Sequence, residues 1–205
     1  MVVDKTILLP TEPVIIEPWE PGEVTYTRTL LEFLENSGMI SGKYELINGR
    51  IVSKMGQNSQ HNITLVKCLL YLSGIYPKDT VRSQATMEVR QNDRVSNRPE
   101  PDVFVLRVPT YTGAPDGDNV LLAIEVSNST QDRDFDEKVV LYARSGVAEY
   151  WVLDLPRRTL TVFRTPDADA GTWASQSILA ETQTIAPESA PDATITITDL
   201  LTPAD

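Results

Sequence analysis

The sequence predicts an α/β fold, a mixed central sheet flanked by helices, and three features carry that prediction. Residues 103–106 and 120–126 are apolar runs rich in branched side chains, long enough for buried strands and too short for helices. After the turn signal of Asn128, Ser129 and Thr130 the period changes: Phe135, Val139 and Tyr142 share one helical stripe, with Lys138 on its inner edge. Two further strand-like runs, 149–154 and 159–164, flank a turn at Pro156, Arg157 and Arg158.

Taken in order, the chain opens on residues 1–24, where Pro10, Pro13, Pro18 and Pro21 among Val, Ile and Leu predict an extended arm, suited to docking on a neighbouring subunit. Residues 25–205 are expected to form a single domain with an acidic C-terminal extension from about 166, since a chain of 205 residues with 41% hydrophobic content supports one sizeable core. A helix is predicted over 27–36, capped by Thr27 or Thr29, facing inward through Leu30, Leu31, Phe33 and Leu34, and broken at Ser37 and Gly38. Residues 44–52 read as a strand pair around Asn48 and Gly49, a tight-hairpin signal, with a sheet strand expected near 46–53. A second helix, 59–73, has Ser59 as its cap and an apolar face of Ile63, Val66, Leu69 and Leu70.

Residues 84–90 alternate like a strand, with Gln84 a candidate to point into a site, and lead through 91–93 to a strand at 102–107. A Gly, Pro and Asp-rich surface loop at 111–119 precedes the strand 120–127, and the Lys138 helix is expected over 131–145. Asp154 reads as a turn cap, residues 173–179 as a further strand, and Ile195, Ile197, Leu200 and Leu201 as a final strand or docking segment.

Composition excludes several classes. One cysteine, Cys68, rules out an internal disulfide and fits a reducing compartment; it reads as a small core hydrophobe. With His61 the one histidine, no zinc cluster can be assembled; His61 lies in a helix's first turn, in a structural or a catalytic role. No segment approaches bilayer-spanning length and the N-terminus lacks a basic start followed by an apolar core, so the cytoplasm is the expected location. There is no internal repeat, P-loop, dinucleotide fingerprint or helix-turn-helix.

The net charge of −11 speaks against generic nucleic-acid affinity, which rests on phosphate neutralisation. Its distribution softens the point, because no Lys or Arg follows Arg164, and residues 1–164 hold 18 basic against 22 acidic groups. Arg82, Arg90, Arg94 and Arg98 form the best basic set, lining either a phosphate-facing strand pair or a solvated hairpin.

Three ionisable residues stand where local structure prefers apolar ones. Glu125 interrupts the run 120–126, and burying a lone carboxylate costs several kcal/mol, so it must be protonated, paired or bound to a metal. Asp102 heads the next strand, and Lys138 can lay its stem along apolar surface while its ammonium reaches the strand ends. Two arrangements satisfy this. One is a salt bridge from Lys138 to Glu125 or Asp102; the other is a site for Mg²⁺ or Mn²⁺, which prefer such hard oxygen ligands.

The order of these residues resembles the Uma2 family, a branch of the PD-(D/E)XK restriction-endonuclease-like superfamily. The resemblance rests on Pro101, Asp102 and Val103, then Ile124, Glu125 and Val126, then Lys138, Tyr142 and Ala143, then Gly146 to Val152 and Asp154. Tyr44 to Arg50 match the family's opening segment, so the similarity spans roughly 27–164. It implies a restriction-endonuclease-like core and a metal site in which Asp102, Glu125 and the Val126 carbonyl hold Mg²⁺ or Mn²⁺. Where the superfamily places a lysine two residues after the glutamate this chain has Ser127, so the resemblance assigns the ammonium to Lys138, which orients or deprotonates the attacking water. It also brings Glu45 near the site as an extra ligand or water-orienting group, although an edge-strand glutamate fits the residues equally. The implied activity is hydrolysis of DNA phosphodiesters by a homodimer. A catalytically inactive binding or assembly module and a hydrolase of a smaller phosphate ester are the two other readings.

Overall fold

The computed structural model of the protein describes residues 25–54, 59–128 and 133–203. The arm predicted at 1–24 and the turn at 129–132 lie outside the described residues, as does the side chain of Phe135. Helix α1 (Arg28–Asn36) begins where Thr27, in extended backbone, accepts the Leu30 N–H on its hydroxyl at 3.2 Å. Of the expected inward set, Leu31 is fully buried. The two ends of α1 are tied down by ion pairs, Arg28 to Glu88 at 2.8 Å and Arg98 to Glu35 at 2.6 Å.

Strands β1 (Tyr44–Ile47) and β2 (Arg50–Ser53) turn around Asn48 and Gly49, at φ of 47° and 74°. Two successive left-handed residues are what a two-residue hairpin needs, as the sequence predicted. This hairpin is a separate two-stranded sheet. It is stitched to the body by paired backbone hydrogen bonds between Leu46 and Arg98 and by the Asn97 side chain, which accepts the Asn48 N–H at 2.8 Å.

Helix α2 (Ser59–Ile75) forms where expected, but of the residues named for its inward face Leu69 alone packs against the core. His61, Thr64, Leu65, Cys68 and Leu72 are buried, whereas Ile63, Val66 and Leu70 are 47%, 49% and 68% exposed. Apolar residues surround this helix almost completely, so no single stripe is marked in the sequence. The row 61, 65, 68 and 72 faces the sheet.

The main sheet begins with β3 (Val81–Ser83) and β4 (Val103–Leu106), followed by β5 (Val120–Ser127), helix α3 (Arg133–Ser145), β6 (Glu149–Asp154), β7 (Thr159–Asp167) and β8 (Thr172–Ala180). Its six strands lie in chain order. All neighbours are antiparallel except β5 and β6, which run parallel because α3 carries the chain back between them. The fold is thus the α/β arrangement expected, a mixed sheet with helices against it.

The strand predicted at 84–90 does not form. Gln84 sits at φ 48°, ending β3, and the segment opposite contains Pro99 and Pro101, which have no N–H to give a ladder. Toward that segment the backbone of 84–90 only donates, Gln84 to the Pro101 and Asp102 carbonyls and Met87 to Pro99, while on the other side Glu88 forms an isolated parallel bridge with Asp116. Met87 and Val89 are still buried, which is why their alternation resembled a strand.

Period-two alternation divides the core. Val103, Val105, Leu122, Ile124, Trp151 and Leu153 face α2, while Phe104, Ala123, Tyr150, Val152 and Phe163 face α3 with Leu141 and Tyr142. Fully burying side chains of this size contributes about 1.5–3 kcal/mol each. The C-terminal segment joins the α2 side: β9 (Thr184–Ile185) pairs with β10 (Ile195–Thr196), and α4 (Ile197–Leu200) buries Ile197, Leu200 and Leu201 in the same cluster. It therefore both adds a strand and docks on the body, the two alternatives read from its apolar residues.

Candidate metal and acid cluster

The register of β4 on β5, with Val103 opposite Ile124, sets Asp102 and Glu125 beside each other at the same end of adjacent strands. The α3 helix runs along that face and presents Lys138 and Tyr142 to it, and the hairpin adds Glu45 from β1. Glu45, Asp102, Glu125 and Lys138 are all at least nine-tenths buried, with exposures of 2%, 2%, 9% and 7%. Ionisable groups buried to this degree persist only when paired.

The pairing is continuous. Lys138 Nζ donates to Glu125 Oε1 at 2.9 Å and reaches both Glu45 oxygens, Oε1 at 3.1 Å and Oε2 at 2.9 Å. The Tyr142 hydroxyl donates to Glu125 Oε1 at 2.7 Å. Asp102 Oδ2 accepts the Val126 N–H at 2.9 Å and lies 3.1 Å from His61 Nε2. Asp102 Oδ1 takes Lys54 Nζ at 3.3 Å, and that ammonium also stands 3.7 Å from Glu45 Oε1. His61, Asp102, Lys54, Glu45, Lys138, Glu125 and Tyr142 thus form one chain of contacts, in which the two lysines join three carboxylates.

Electrostatics follow from this wiring. Burial raises Asp102, but the His61 hydrogen bond and the charges of Lys54 and Lys138 outweigh it and hold the carboxyl well below the usual range. Glu125 goes the other way: burial, with Asp102 and Glu45 nearby, pushes it up to about 7 against the pull of Lys138 and Lys54. Burial lowers Lys138 and Lys54, yet the surrounding carboxylates raise both above their ordinary value. Both lysines are therefore ammonium ions. Tyr142 is raised well above its ordinary value by burial and by the charges of Glu125 and Glu45, so it remains a donor.

All four side chains singled out in the sequence, Glu45, Asp102, Glu125 and Lys138, meet in this cluster, and Val126 enters through its N–H. Lys54 and the His61 contact were not anticipated. His61 was placed in the right helical turn, but its partner is 41 residues away, and Lys54 follows the end of β2 with no periodic signal around it. Ser127, where the superfamily expects lysine, pairs in register with Asp154. Asp154 accepts the Arg157 N–H at 2.9 Å, the turn cap expected of it. The Cys68 thiol lies in the core and burial pushes it up to about 12, which leaves no thiolate to act as a nucleophile.

The four arginines form no phosphate-facing strand pair. Arg98 pairs with Glu35, Arg94 with Glu88 and Arg90 with Asp169, while Arg82 donates to the carbonyls of Asp79 and Thr110.

Among the described residues, no three His, Cys, Asp or Glu side chains are grouped as a preassembled metal cage. The donors nevertheless suit a hard cation such as Mg²⁺, which keeps several waters and is commonly held by one or two carboxylates. Asp102 and Glu125 are two such carboxylates side by side, and the described hydrogen bonds to Glu125 all fall on Oε1. Among the described residues no helix is long and apolar enough to cross a membrane.

Comparison with known proteins agrees with this architecture. A crystal structure of a "putative nuclease belonging to DUF820" from Anabaena variabilis superimposes with a TM-score of 0.62 at 18% identity, covering 87% of this chain and 97% of that one. No curated protein matches. The model of the Uma2 family, described as "Putative restriction endonuclease", matches residues 33–198, a span holding Glu45, Lys54, His61, Asp102, Glu125 and Lys138. With that match across most of its length, the chain belongs to the Uma2 family.

Proposed function

We propose that the protein is a Mg²⁺- or Mn²⁺-dependent endonuclease that hydrolyses phosphodiester bonds in DNA. The observation that carries this reading is the convergence of Asp102, Glu125, Glu45 and Lys138, from three strand ends and a helix, on one buried point. Asp102 and Glu125, with the Val126 carbonyl, would hold the cation. Such an ion polarises a phosphoryl oxygen and lowers the pKa of bound water.

The chain's own residues supply the rest. The carboxylates around Lys138 raise its pKa, which supports the donor role of the two implied for it: orienting the attacking water and stabilising charge developing on the phosphate. Glu45, gripped by both lysines and by the Glu100 N–H at 2.6 Å, fixes the Lys138 ammonium in place. Tyr142, one turn further along the same helix, donates to the same Glu125 oxygen and steadies it. A homodimer that cuts both strands, and a cytoplasmic setting, belong to the same proposal.

The inactive binding module has one observation in its favour, because Arg90, Arg94 and Arg98 are each engaged by a carboxylate and the net charge is −11, which opposes the phosphate neutralisation that DNA affinity rests on. Cleavage assays with duplex, single-stranded and branched DNA, run beside Mn²⁺ calorimetry, separate the two. Wild-type protein is expected to bind Mn²⁺ and cut, and Asp102→Ala and Glu125→Ala to lose both while remaining folded by circular dichroism. Metal binding without cleavage of any DNA form favours the module, and the absence of metal binding ends the nuclease reading.

A further inference from the structure

Asp102 has only one oxygen to offer a cation. Oδ2 is committed to the Val126 N–H at 2.9 Å and to His61 Nε2 at 3.1 Å, both from groups fixed in the sheet and in α2. Oδ1 carries a single described contact, Lys54 Nζ at 3.3 Å. That lysine is itself buried, with a side chain 7% exposed, and is anchored by the Glu100 carbonyl at 2.5 Å and by Glu45. An ammonium and a metal ion brought to the same oxygen repel each other strongly in a poorly solvated site.

We propose that Lys54 is a resident counterion that competes with the divalent cation for Asp102 Oδ1 and leaves it when a substrate phosphate draws the ammonium away. This inference rests on the metal reading above and deepens it. It makes metal entry and phosphodiester binding cooperative: the arriving polyanion takes Lys54 as its partner and frees Oδ1 in the same movement. Charge supports the exchange. Removing one of the two ammonium ions makes the cluster more negative by one charge, which favours a dication. The Lys54 stem has the freedom for this, being a flexible four-carbon chain ending in a point charge that suits a phosphate.

The test is Mn²⁺ titration followed by electron paramagnetic resonance, with and without a phosphorothioate-protected DNA duplex that resists cleavage. Wild-type protein is expected to bind Mn²⁺ weakly alone and about tenfold more tightly with DNA, within the usual span of coupling between sites. Lys54→Met is expected to bind Mn²⁺ about tenfold more tightly than wild type without DNA and to gain little when DNA is added. Should Lys54→Met fail to fold, Lys54→Gln, which keeps a donor for the Glu100 carbonyl, carries the same expectation. Lys78→Met, at an exposed lysine outside the cluster, serves as the control and should match wild type. Unchanged or weaker Mn²⁺ affinity in the Lys54 variants, with wild type binding normally, overturns the competition. Failure of every protein to bind Mn²⁺ overturns the metal reading itself.

Discussion

Glu125→Gln tests the electrostatics of the cluster through stability alone. In the unfolded chain this carboxyl ionises near 4.5, whereas burial in the native protein holds it at about 7. Between those values the native state keeps a proton that the unfolded state has lost. Stability must therefore fall as pH rises through that window, by about 1.4 kcal/mol per pH unit and about 3 kcal/mol in total, and this group adds no further change above it. Glutamine mimics the protonated acid and still accepts from Lys138 and Tyr142, so the variant lacks this slope. Urea unfolding at steps from about pH 4.5 to 8 in EDTA gives both curves, and all other titrating groups cancel in their difference. Wild type should lose about 3 kcal/mol more than Glu125→Gln across the range. Parallel curves would refute the claim that burial dominates at Glu125.

Two more outcomes follow from contacts on the page. Lys138→Met strands Glu45 and Glu125 without their shared ammonium, and removing one partner of a buried ion pair costs about 3–5 kcal/mol. Urea melts should show that loss at neutral pH, partly restored in the double variant Lys138→Met with Glu125→Gln; a loss below about 1 kcal/mol would make the pair dispensable. Gly49→Ala places a Cβ 2.3 Å from the Thr25 side chain at a φ of 74°, so it should cost about 1–3 kcal/mol, seen as a lowered Tm. A Tm equal to wild type would mean that the hairpin repacks freely.

The fold was legible where local chemistry and tertiary packing agree. Strands β4, β5 and β6 are apolar runs in the sequence because both faces of the sheet are covered, and the Asn48 and Gly49 turn declares itself through residues that tolerate positive φ. It was illegible where a partner distant in the chain decides. Met87 and Val89 alternate like a strand, but Pro99 and Pro101 opposite them deny the ladder. The inward face of α2 could not be told from the outward one because Ile63, Val66 and Leu70 are as apolar as Leu65 and Leu72.

The same distinction governs the cluster. Glu125 and Lys138 betray themselves as charges within apolar patterns, whereas Lys54 looks like any lysine at a strand end until Glu45, Glu100 and Asp102 are folded around it.

Glu45 and Lys54 ride on the small hairpin sheet, while Asp102, Glu125 and Lys138 belong to the body of the molecule. The ionic contacts between them therefore add to the Leu46 and Arg98 backbone pair and the Asn97 side chain in holding the hairpin to the body. A change of charge at that seam should be felt in the hairpin, so hydrogen exchange of its backbone amides becomes a gauge of whether the seam is filled.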